Sequence, residues 1–312
     1  MKATILGTGS AMPTESRHHS ATALDIGPEV LLFDCGEGTQ MQLQKAGISH
    51  NKISKIFITH WHGDHVLGLP GLIQSMQLNK RAKPLNIYGP AGTKERYKKI
   101  SSALGIFPTF KITIAELKAG AFNSEKYSII VANAKHNAPC LAFAFQEKPK
   151  VKININYLKK FGLTNNPIIA DLIKGKDIAW NKNNLNSQQV QGMKNASIFH
   201  KIKAKDATFT EKGKKFVYLL DSAYSKHLEN FCKSADVLLC EATFADDMKE
   251  FASEFGHMTA SQAATLAKKA NVKKLIVTHF SQRYKDTNVL LREAKKIFAN
   301  AVAATDLMEI DF

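Results

Sequence analysis

The sequence predicts an α/β protein whose sheet strands end in ionisable side chains. Short apolar strands alternate with helical segments along most of the chain, and four of these strands are followed directly by His or Asp. One strand leads into a dense cluster, His60-Trp61-His62-Gly63-Asp64-His65. Because matching strand ends of a sheet-based core meet on one rim, we expect these side chains to converge.

The histidine cluster lies on a predicted strand-to-helix loop. In such a loop His60 and His62 can turn toward one point, while Asp64 and His65 can turn toward a second point nearby. Imidazole and carboxylate are ligands of borderline divalent metals such as Zn²⁺. The alternative is a polar loop with surface histidines, but neither packing nor solubility requires four ligand-type side chains in six positions. The spacing therefore favours a metal site.

Length and composition indicate a soluble globular protein. A chain of 312 residues can bury a large core in one domain with an insertion. We expect a cytoplasmic protein with no membrane partner, because no apolar run approaches the ~18 residues of a membrane span and the apolar N-terminal stretch is too short for a signal sequence. The cysteines show no paired spacing, which favours reduced thiols over disulfides or a Cys-rich zinc site: Cys35, Cys140, Cys232 and Cys240.

Net charge is the unusual feature of the composition. Lys and Arg number 43 against 27 Asp and Glu, a formal excess of 16 positive charges. Such an excess favours a polyanionic partner, with nucleic acid first and an anionic membrane surface second. A lysine-rich surface can also be a general solubility feature, so charge alone leaves both interpretations open.

The predicted elements fall into two halves of similar layout. In the first half we predict strands at Ala3–Leu6, Ala21–Leu24, Val30–Phe33, Ile56–Thr59, Leu85–Tyr88, Lys111–Ile114, Ser128–Ala134 and Leu141–Phe145, with helices at Val66–Met76 and Thr93–Leu104. In the second half we predict strands at Phe216–Leu220, Val237–Leu239, Leu275–Thr278 and Ala301–Ala304, with helices at Thr259–Ala270 and Asn288–Phe298.

The segment between the halves differs in composition. From residue 147 to residue 215 there are fifteen lysines and five acidic residues, which is ten of the sixteen excess charges. The segment is rich in Asn, and its apolar runs are brief, at Tyr157–Leu163 and Ile168–Ile173. These runs leave open whether it packs on the core. We divide the chain into a first half, a basic inserted arm and a second half: 1–146, 147–215 and 216–312.

The candidate metal ligands divide into two groups. The first group contains three histidines: His60, His62 and His136. The second contains Asp64, His65 and His279, and Asp221 could bridge both groups with its two carboxylate oxygens. The remaining histidines lack a strand-end position, and we expect them on the surface: His18, His19, His50, His200 and His227.

The cluster at 60–65 resembles the metal signature of the metallo-β-lactamase fold, a four-layer αβ/βα sandwich. More narrowly, the chain resembles the short form of the ribonuclease Z family, endonucleases that remove 3′ trailers from precursor tRNA. The narrower resemblance spans almost the whole chain and is weak only in the insertion. The residues that carry it are Phe33–Gln40, Gly68–Leu72, Glu241–Phe244, His257 with Thr259–Ala260, and Thr278–Tyr284.

The resemblance implies the same seven metal ligands and adds roles, a cofactor and partners. Asp64 would orient the nucleophile, and Glu241 with His257 would serve the leaving group. The cofactor would be two Zn²⁺ ions per chain, with Mn²⁺ able to substitute. The partners would be precursor tRNA and a second copy of the chain, whose arm helps to hold the tRNA that the first copy cleaves. The candidate substrate-binding residues are Arg283, Lys174 and Lys176.

The implied reaction needs a proton donor. A pair of zinc ions would supply an activated water and stabilise charge on the phosphate, but not a proton for the departing 3′ oxygen. We therefore expect His257, held by Glu241, to act as a general acid. The products would be a tRNA with a 3′ hydroxyl and a trailer with a 5′ phosphate.

Several positions depart from the family pattern. Cys240 replaces a usual His, Ser222 stands where Thr often follows the bridging Asp, and Arg17-His18 replaces Arg-Asn. The insertion also lacks the Gly-Pro-rich stretch that the family's tRNA-binding arm often carries. These departures affect the details of substrate binding more than the chemistry.

Two other functions remain open from the sequence. One is a hydrolase of the same fold that acts on a small phosphodiester, a lactone or a (thio)ester. The basic insertion and the Glu241–His257 pair argue against it, and β-lactamases typically use a Cys ligand. The other is a non-catalytic RNA-binding protein, against which the complete ligand set argues.

Overall fold

The computed structural model describes residues 1–181 and 199–312, which form two units. The larger unit consists of Met1–Gln146 with Lys214–Phe312, and the smaller unit consists of Glu147–Gly213. None of the helices in the described ranges combines the length and the apolar character needed to cross a membrane. Residues 182–198 of the predicted insertion lie outside the described residues.

Strands and helices alternate along the chain. The strands are β1 (Lys2–Gly7), β2 (Ala21–Asp25), β3 (Val30–Phe33), β4 (Ile53–Phe57), β5 (Leu85–Gly89), β6 (Ile112–Glu116), β7 (Gly120–Asn123), β8 (Tyr127–Ala134), β9 (Cys140–Glu147), β10 (Lys150–Ile153), β11 (Ile178–Asn181), β12 (Phe199–Ile202), β13 (Thr208–Glu211), β14 (Lys215–Leu219), β15 (Val237–Glu241), β16 (Lys274–Thr278), β17 (Ala301–Ala303) and β18 (Glu309–Asp311). The helices are α1 (Thr39–Lys45), α2 (Gly63–Val66), α3 (Leu69–Leu78), α4 (Thr93–Ala103), α5 (Ile155–Lys159), α6 (Ile169–Ile173), α7 (Ala204–Ala207), α8 (Lys226–Cys232), α9 (Lys249–Glu254), α10 (Ala260–Lys269) and α11 (Asn288–Ile297).

The larger unit contains two seven-stranded mixed sheets. Their strand orders are β18-β1-β2-β3-β4-β5-β6 and β17-β16-β15-β14-β9-β8-β7. Strands β3 to β6 run parallel to one another, and so do β14 to β17. Parallel strands direct their carboxyl ends to the same edge of a sheet, so residues that follow them are brought together there.

Apolar side chains from both sheets form a layer between them. The ring of Phe33 lies 5.2 Å from that of Phe57 in the same sheet and 5.3 Å from that of Tyr218 in the other sheet. Helices α1 and α3 cover the outer face of the first sheet, and α8, α10 and α11 cover the outer face of the second. The larger unit is therefore the predicted four-layer αβ/βα sandwich, and the predicted fold class is confirmed.

The segment after the histidine cluster differs from its prediction. In place of one helix over Val66–Met76, the chain forms the short α2 and then α3. Pro70 in the first turn of α3 favours a new helix start there. Gly68 lies between the two helices, and a Cβ at this position would lie 2.1 Å from the carbonyl oxygen of Gly36. The break lets the loop after β3 pack directly beneath the histidine cluster.

The described part of the smaller unit has its own apolar core. It contains the two-stranded sheets β10-β13 and β11-β12 together with α5, α6 and α7. The two apolar runs noted in the sequence supply members of this core, and the larger unit's three clusters contain no described residue from 147–213. The buried members are Leu158, Leu163, Leu172, Ile178, Trp180, Ile202, Ala204 and Ala207.

Candidate active site

The seven predicted metal ligands lie together at one edge of the sandwich. Four of them belong to the cluster at 60–65, in which Asp64 and His65 lie on α2. The ligand atoms fall into groups in which all atoms lie within 4.8 Å of one another. The remaining ligands, with His60, follow strands: His60 after β4, His136 after β8, Asp221 after β14 and His279 directly after β16.

Three strand-end residues adopt left-handed backbone conformations. Asp34, Asp221 and His279 have φ angles of 55°, 44° and 59°. Such angles are uncommon for residues other than glycine, although Asp and His tolerate them better than most. Unfavourable backbone of this kind concentrates at functional sites, where the surrounding structure maintains it. Here it turns side chains at the carboxyl ends of β3, β14 and β16 into the site.

The first ligand group contains three imidazoles and one carboxylate oxygen. His62 Nδ1 lies 2.9 Å from His60 Nε2 and 3.3 Å from His136 Nε2. Asp221 Oδ2 lies 3.7 Å from His60 Nε2 and 3.8 Å from His136 Nε2. Three nitrogens and one oxygen therefore face a common point, which is a donor set that suits a borderline divalent cation.

The second ligand group uses the other oxygen of Asp221. Asp221 Oδ1 lies 3.2 Å from both His65 Nε2 and His279 Nε2. Asp64 Oδ2 lies 3.4 Å and 3.5 Å from the same two nitrogens. Three of these atoms are buried without any hydrogen-bonding partner: His65 Nε2, His279 Nε2 and Asp221 Oδ1. Since a buried polar atom left unpaired costs roughly 1–3 kcal/mol, the arrangement fits a bound metal cation.

Electrostatics differ between the histidines of the site. Burial, reinforced by the neighbouring His65, lowers the pKa of His60 to about 2, so its imidazole is neutral and has a lone pair for a metal. Burial would also lower the pKa of His65, but the carboxylates of Asp221 and Asp64 outweigh it and raise that pKa. A divalent cation would replace the proton that these carboxylates attract.

Asp34 holds the histidine cluster in place from behind. Its carboxylate accepts hydrogen bonds from the backbone N–H of Thr59 (2.7 Å) and from Tyr218 Oη (3.0 Å), and it lies 2.8 Å from His65 Nδ1. Thr59 Oγ1 lies 3.1 Å from His60 Nδ1. Such contacts fix the orientation and tautomer of metal-binding imidazoles. Sequence reasoning missed this role, although Asp34 follows an apolar strand just as Asp221 does.

The buried Glu241 and the half-buried His257 form a pair beside the ligands. Both oxygens of Glu241 lie 3.1 Å from His257 Nδ1. The carboxylate also accepts hydrogen bonds from Thr243 Oγ1 at 2.7 Å and from the backbone N–H of Met258 at 3.0 Å. Burial would lower the pKa of His257, but the Glu241 carboxylate outweighs it and raises this pKa to about 9. The imidazole is therefore held protonated near neutral pH.

The other nitrogen of His257 faces the ligands. His257 Nε2 lies 4.0 Å from Asp221 Oδ2, and with Asp221 and His279 it forms a third group that could hold a cation. Gly256, with a φ of 71°, connects α9 to this histidine, and a Cβ there would lie 3.1 Å from the Cα of His136. Only glycine therefore allows this close approach without strain.

Comparison with known proteins identifies the family. Family models described as anti-Pycsar protein Apyc1 and as a beta-lactamase superfamily domain match residues 1–100 and 198–280. Ribonuclease Z of Methanosarcina acetivorans is 36% identical over 315 residues, which cover 100% of this chain and 98% of that protein. Ribonuclease Z of Nitrosopumilus maritimus is 37% identical over 313 residues, with 100% and 99% covered. The chain belongs to the ribonuclease Z family.

Solved structures agree with this assignment. Human tRNase Z, short form, has a TM-score of 0.70 at 28% identity and covers 100% of this chain and 99% of its own. The metallo-beta-lactamase fold protein YhfI of Bacillus subtilis has the same TM-score of 0.70 at 19% identity, with 99% and 98% covered, and supports the fold alone. The resemblance to the ribonuclease Z family and to the metallo-β-lactamase fold is confirmed.

The histidines outside the site of this ribonuclease Z family member are not all on the surface. His200 and His227 are exposed, His18 and His50 are half-buried, and His19 is buried. The prediction of a surface position is wrong for His19. Its main chain bridges to Gly9, and its Cβ packs so closely on Gly36 that a Cβ there would approach within 2.5 Å. The N-terminal loop thus folds under the histidine cluster.

The predicted substrate-binding residues lie in both units. Arg283 follows His279 by four residues, and its guanidinium carbon lies 5.2 Å from the ring centres of Phe244 and Phe251. Lys174 and Lys176 lie in the smaller unit on the turn after α6, and both are exposed. Their roles stay predictions.

Proposed function

We propose that this chain is a dinuclear zinc endoribonuclease that removes the 3′ trailer from precursor tRNA. It leaves a 3′ hydroxyl on the tRNA and a 5′ phosphate on the trailer. The observation that carries the proposal is the pair of ligand groups that share Asp221 beside the Glu241–His257 pair. Full-length identity of 34–37% to Ribonuclease Z proteins supports it.

We propose zinc as the cofactor, with two ions per chain and Mn²⁺ as a substitute. Five of the eight donor atoms are imidazole nitrogens, and imidazole-rich donor sets favour Zn²⁺ over Mg²⁺ or Ca²⁺. When bound, such ions supply an activated water and Lewis-acid stabilisation of the phosphate. Elemental analysis of protein purified without added metal is expected to give about two transition-metal ions per chain. One ion or none after zinc supplementation would contradict the two-site assignment.

The protein's own residues orient the attack and protonate the leaving group. Asp64 Oδ2 accepts a hydrogen bond from the backbone N–H of Ala11 at 2.8 Å, which holds the carboxylate among the ligands, where it would orient the attacking water. As the bond between phosphorus and the 3′ oxygen breaks, His257 Nε2 gives its proton to that oxygen. Glu241, bonded to His257 Nδ1, stabilises the imidazolium before transfer and sets the tautomer.

Product analysis tests the proposed function directly. A precursor tRNA with a defined trailer is incubated with the holoenzyme, and the ends of both products are determined. We expect one cut at the trailer junction, a 3′ hydroxyl on the tRNA and a 5′ phosphate on the trailer. Turnover of a nitrophenyl phosphodiester without precursor cleavage would instead establish a small-substrate hydrolase. Precursor binding without hydrolysis of either substrate would establish a non-catalytic RNA-binding protein.

We also propose that the smaller unit binds the body of the tRNA. Residues 147–213 include thirteen lysines against five acidic residues. Phosphate neutralisation by Lys supplies affinity without sequence preference, which suits contact with the tRNA body away from the cut. Exposed lysines such as Lys174 and Lys176 would contribute to this contact.

We further propose a homodimer that works in the cytoplasm. On the larger unit, Leu78 is 82% exposed and Phe107 is 74% exposed, and both line one shallow cavity with Gln74, Gln77 and Ile106. A second copy would cover these apolar side chains. The buried free cysteines suit a reducing compartment. Light scattering at micromolar concentration is expected to give a dimer, and Leu78→Glu with Phe107→Glu is expected to give a monomer.

A further inference from the structure

A row of aromatic rings leads away from the leaving-group side of the site. The ring of Phe244 lies 5.9 Å from that of His257, and the ring of Phe251 lies 5.3 Å from that of Phe244. Phe255 continues the row, with its ring centre 4.4 Å from that of Phe251. Phe244 lies in the segment after β15, Phe251 lies on α9, and Phe255 follows α9 two residues before His257.

The row becomes more exposed as it leaves the site. Phe244 is 5% exposed, Phe251 is half-buried and Phe255 is 42% exposed. Arg283 lies over the inner two rings, with its guanidinium carbon 5.2 Å from each ring centre. The ring of Phe251 thus has the planar cation of Arg283 over it and the exposed ring of Phe255 beside it. Aromatic rings and Arg guanidinium planes are the groups on which proteins stack unpaired RNA bases.

The surrounding charges favour a base over a phosphate. The segment 246–254 contains four acidic residues and a single lysine. An anionic phosphate would be repelled there, whereas the face of an aromatic base would not be. The occupant that fits is therefore the ring of a nucleotide and not its phosphodiester.

The closeness of Phe255 to His257 in the sequence indicates which nucleotide of the RNA would stack there. Phe255 lies two residues from His257, so their Cα atoms are at most about 7 Å apart. Under the proposed function, on which this inference rests, His257 faces the 3′ oxygen of the nucleotide on the tRNA side of the cut. We infer that Phe255, with Phe251 and Arg283, forms a stacking platform for the base of that unpaired nucleotide, directly 5′ of the scissile phosphate.

A substitution at Phe255 combined with base removal from the RNA tests the platform. Phe255→Leu keeps an apolar side chain but removes the ring, and Phe255→Tyr keeps the ring. The RNA substrates are the parental precursor, a precursor lacking the base directly 5′ of the cut, and one lacking the base directly 3′ of it. KM and kcat are measured with the holoenzyme, and a nitrophenyl phosphodiester is used to normalise the fraction of active protein.

The expected result is a coupling between the ring and one base. Phe255→Leu is expected to raise KM for the parental precursor about fivefold to tenfold, whereas Phe255→Tyr stays within about twofold. Removing the 5′ base is expected to raise KM for the parental enzyme by a similar factor and to add no further loss in Phe255→Leu. Removing the 3′ base is expected to penalise both proteins equally.

Three results would overturn the inference. An unchanged KM for Phe255→Leu would show that the ring only packs α9. An equal rise in KM for Phe255→Tyr would show that the aromatic ring is not what binds the base. Coupling of Phe255→Leu to removal of the 3′ base would show that the nucleotide 5′ of the cut does not stack there. If the parental enzyme does not cleave the precursor at all, it is the proposed function that fails, and the two failures are therefore distinguishable.

Discussion

The two units of the chain carry their charged side chains in opposite ways. In the larger unit most ionisable groups of the site are buried or half-buried, with His62 exposed, and buried hydrogen bonds hold several of them, as between Asp34 and Thr59. In the smaller unit, residues 147–213 hold half of the 16 excess positive charges, and lysines such as Lys174 and Lys176 are exposed. Chemistry requires fixed geometry, whereas affinity for a polyanion requires only charge density. We therefore expect the chemistry to depend on the larger unit and RNA affinity on the smaller.

The largest expected effect is the loss of the bridging carboxylate. Asp221→Ala removes an oxygen from each ligand group, so kcat/KM is expected to fall at least about 100-fold to 1,000-fold on both precursor tRNA and a nitrophenyl phosphodiester. Metal content should fall in the same protein. Asp25→Ala, which breaks a surface ion pair with Lys52, is the matched control and should change neither activity nor metal content. A variant that keeps activity on the small substrate would contradict the shared role.

The second effect separates the leaving group from the nucleophile within the larger unit. His257→Ala is expected to lower cleavage of RNA by about 100-fold or more, because the 3′ oxygen leaves poorly without a proton. A nitrophenyl leaving group needs no proton, so its turnover should stay within a few fold, and metal content should be unchanged. Asp64→Ala should instead lower turnover of both precursor tRNA and the nitrophenyl phosphodiester. If His257→Ala lowers turnover of both substrates equally, or loses a metal ion, His257 acts as a metal ligand and not as the general acid.

A third, smaller effect concerns individual charges of the smaller unit. Lys174→Gln with Lys176→Gln is expected to weaken precursor binding a few fold and to lower the slope of log Kd against log salt by about 1 to 2. Lys80→Gln with Lys83→Gln, an exposed pair after α3 in the larger unit, is the matched control. If the two double substitutions change the salt slope equally, the lysines of the smaller unit contribute no more to RNA binding than those of the larger unit.

The smallest effect concerns the stability of the segment that positions His257. Thr259 and Gln262 form a capping box at the start of α10, with Thr259 Oγ1 accepting from the backbone N–H of Gln262. Thr259→Ala is expected to lower the free energy of unfolding by about 1 kcal/mol, measured by urea denaturation of the holoenzyme. Thr265→Ala, on the same helix beyond the cap, should cost less. An unchanged midpoint for Thr259→Ala would show that the cap does not support this segment.

The grouping of the candidate metal ligands could be predicted because four of them are close together in the sequence. His60, His62, Asp64 and His65 occupy six positions after an apolar strand, and strand-end placement brought in His136, Asp221 and His279. The residues that hold these ligands in place by hydrogen bonds are far apart in the sequence. Asp34, Thr59 and Tyr218 come from three different strand ends or strands, and nothing in their spacing shows that they share hydrogen bonds.

Short elements and buried polar loops were the other features that the sequence concealed. Strands β7 and β18 span only four and three residues, and β18 is an edge strand that pairs with β1. His19 has no apolar pattern around it, so its burial under the cluster depends on close packing against Gly36. Tertiary contacts of this kind have no periodic signal in the sequence.

The most direct test of the division between the units removes the smaller one. Gln146 pairs with Lys215 in the antiparallel ladder between β9 and β14, so a two-residue Asn-Gly turn can join them in place of residues 147–214. The separate apolar cores predict that the shortened protein folds, which thermal unfolding checks first.

The deciding measurement compares precursor tRNA binding by the parental and shortened proteins across a salt series, beside turnover of a nitrophenyl phosphodiester. We predict binding weaker by about 100-fold or more, a flatter salt dependence, and small-substrate turnover within a few fold of the parental value. If the folded, shortened protein binds precursor tRNA with the parental affinity and salt slope, RNA affinity does not depend on the smaller unit.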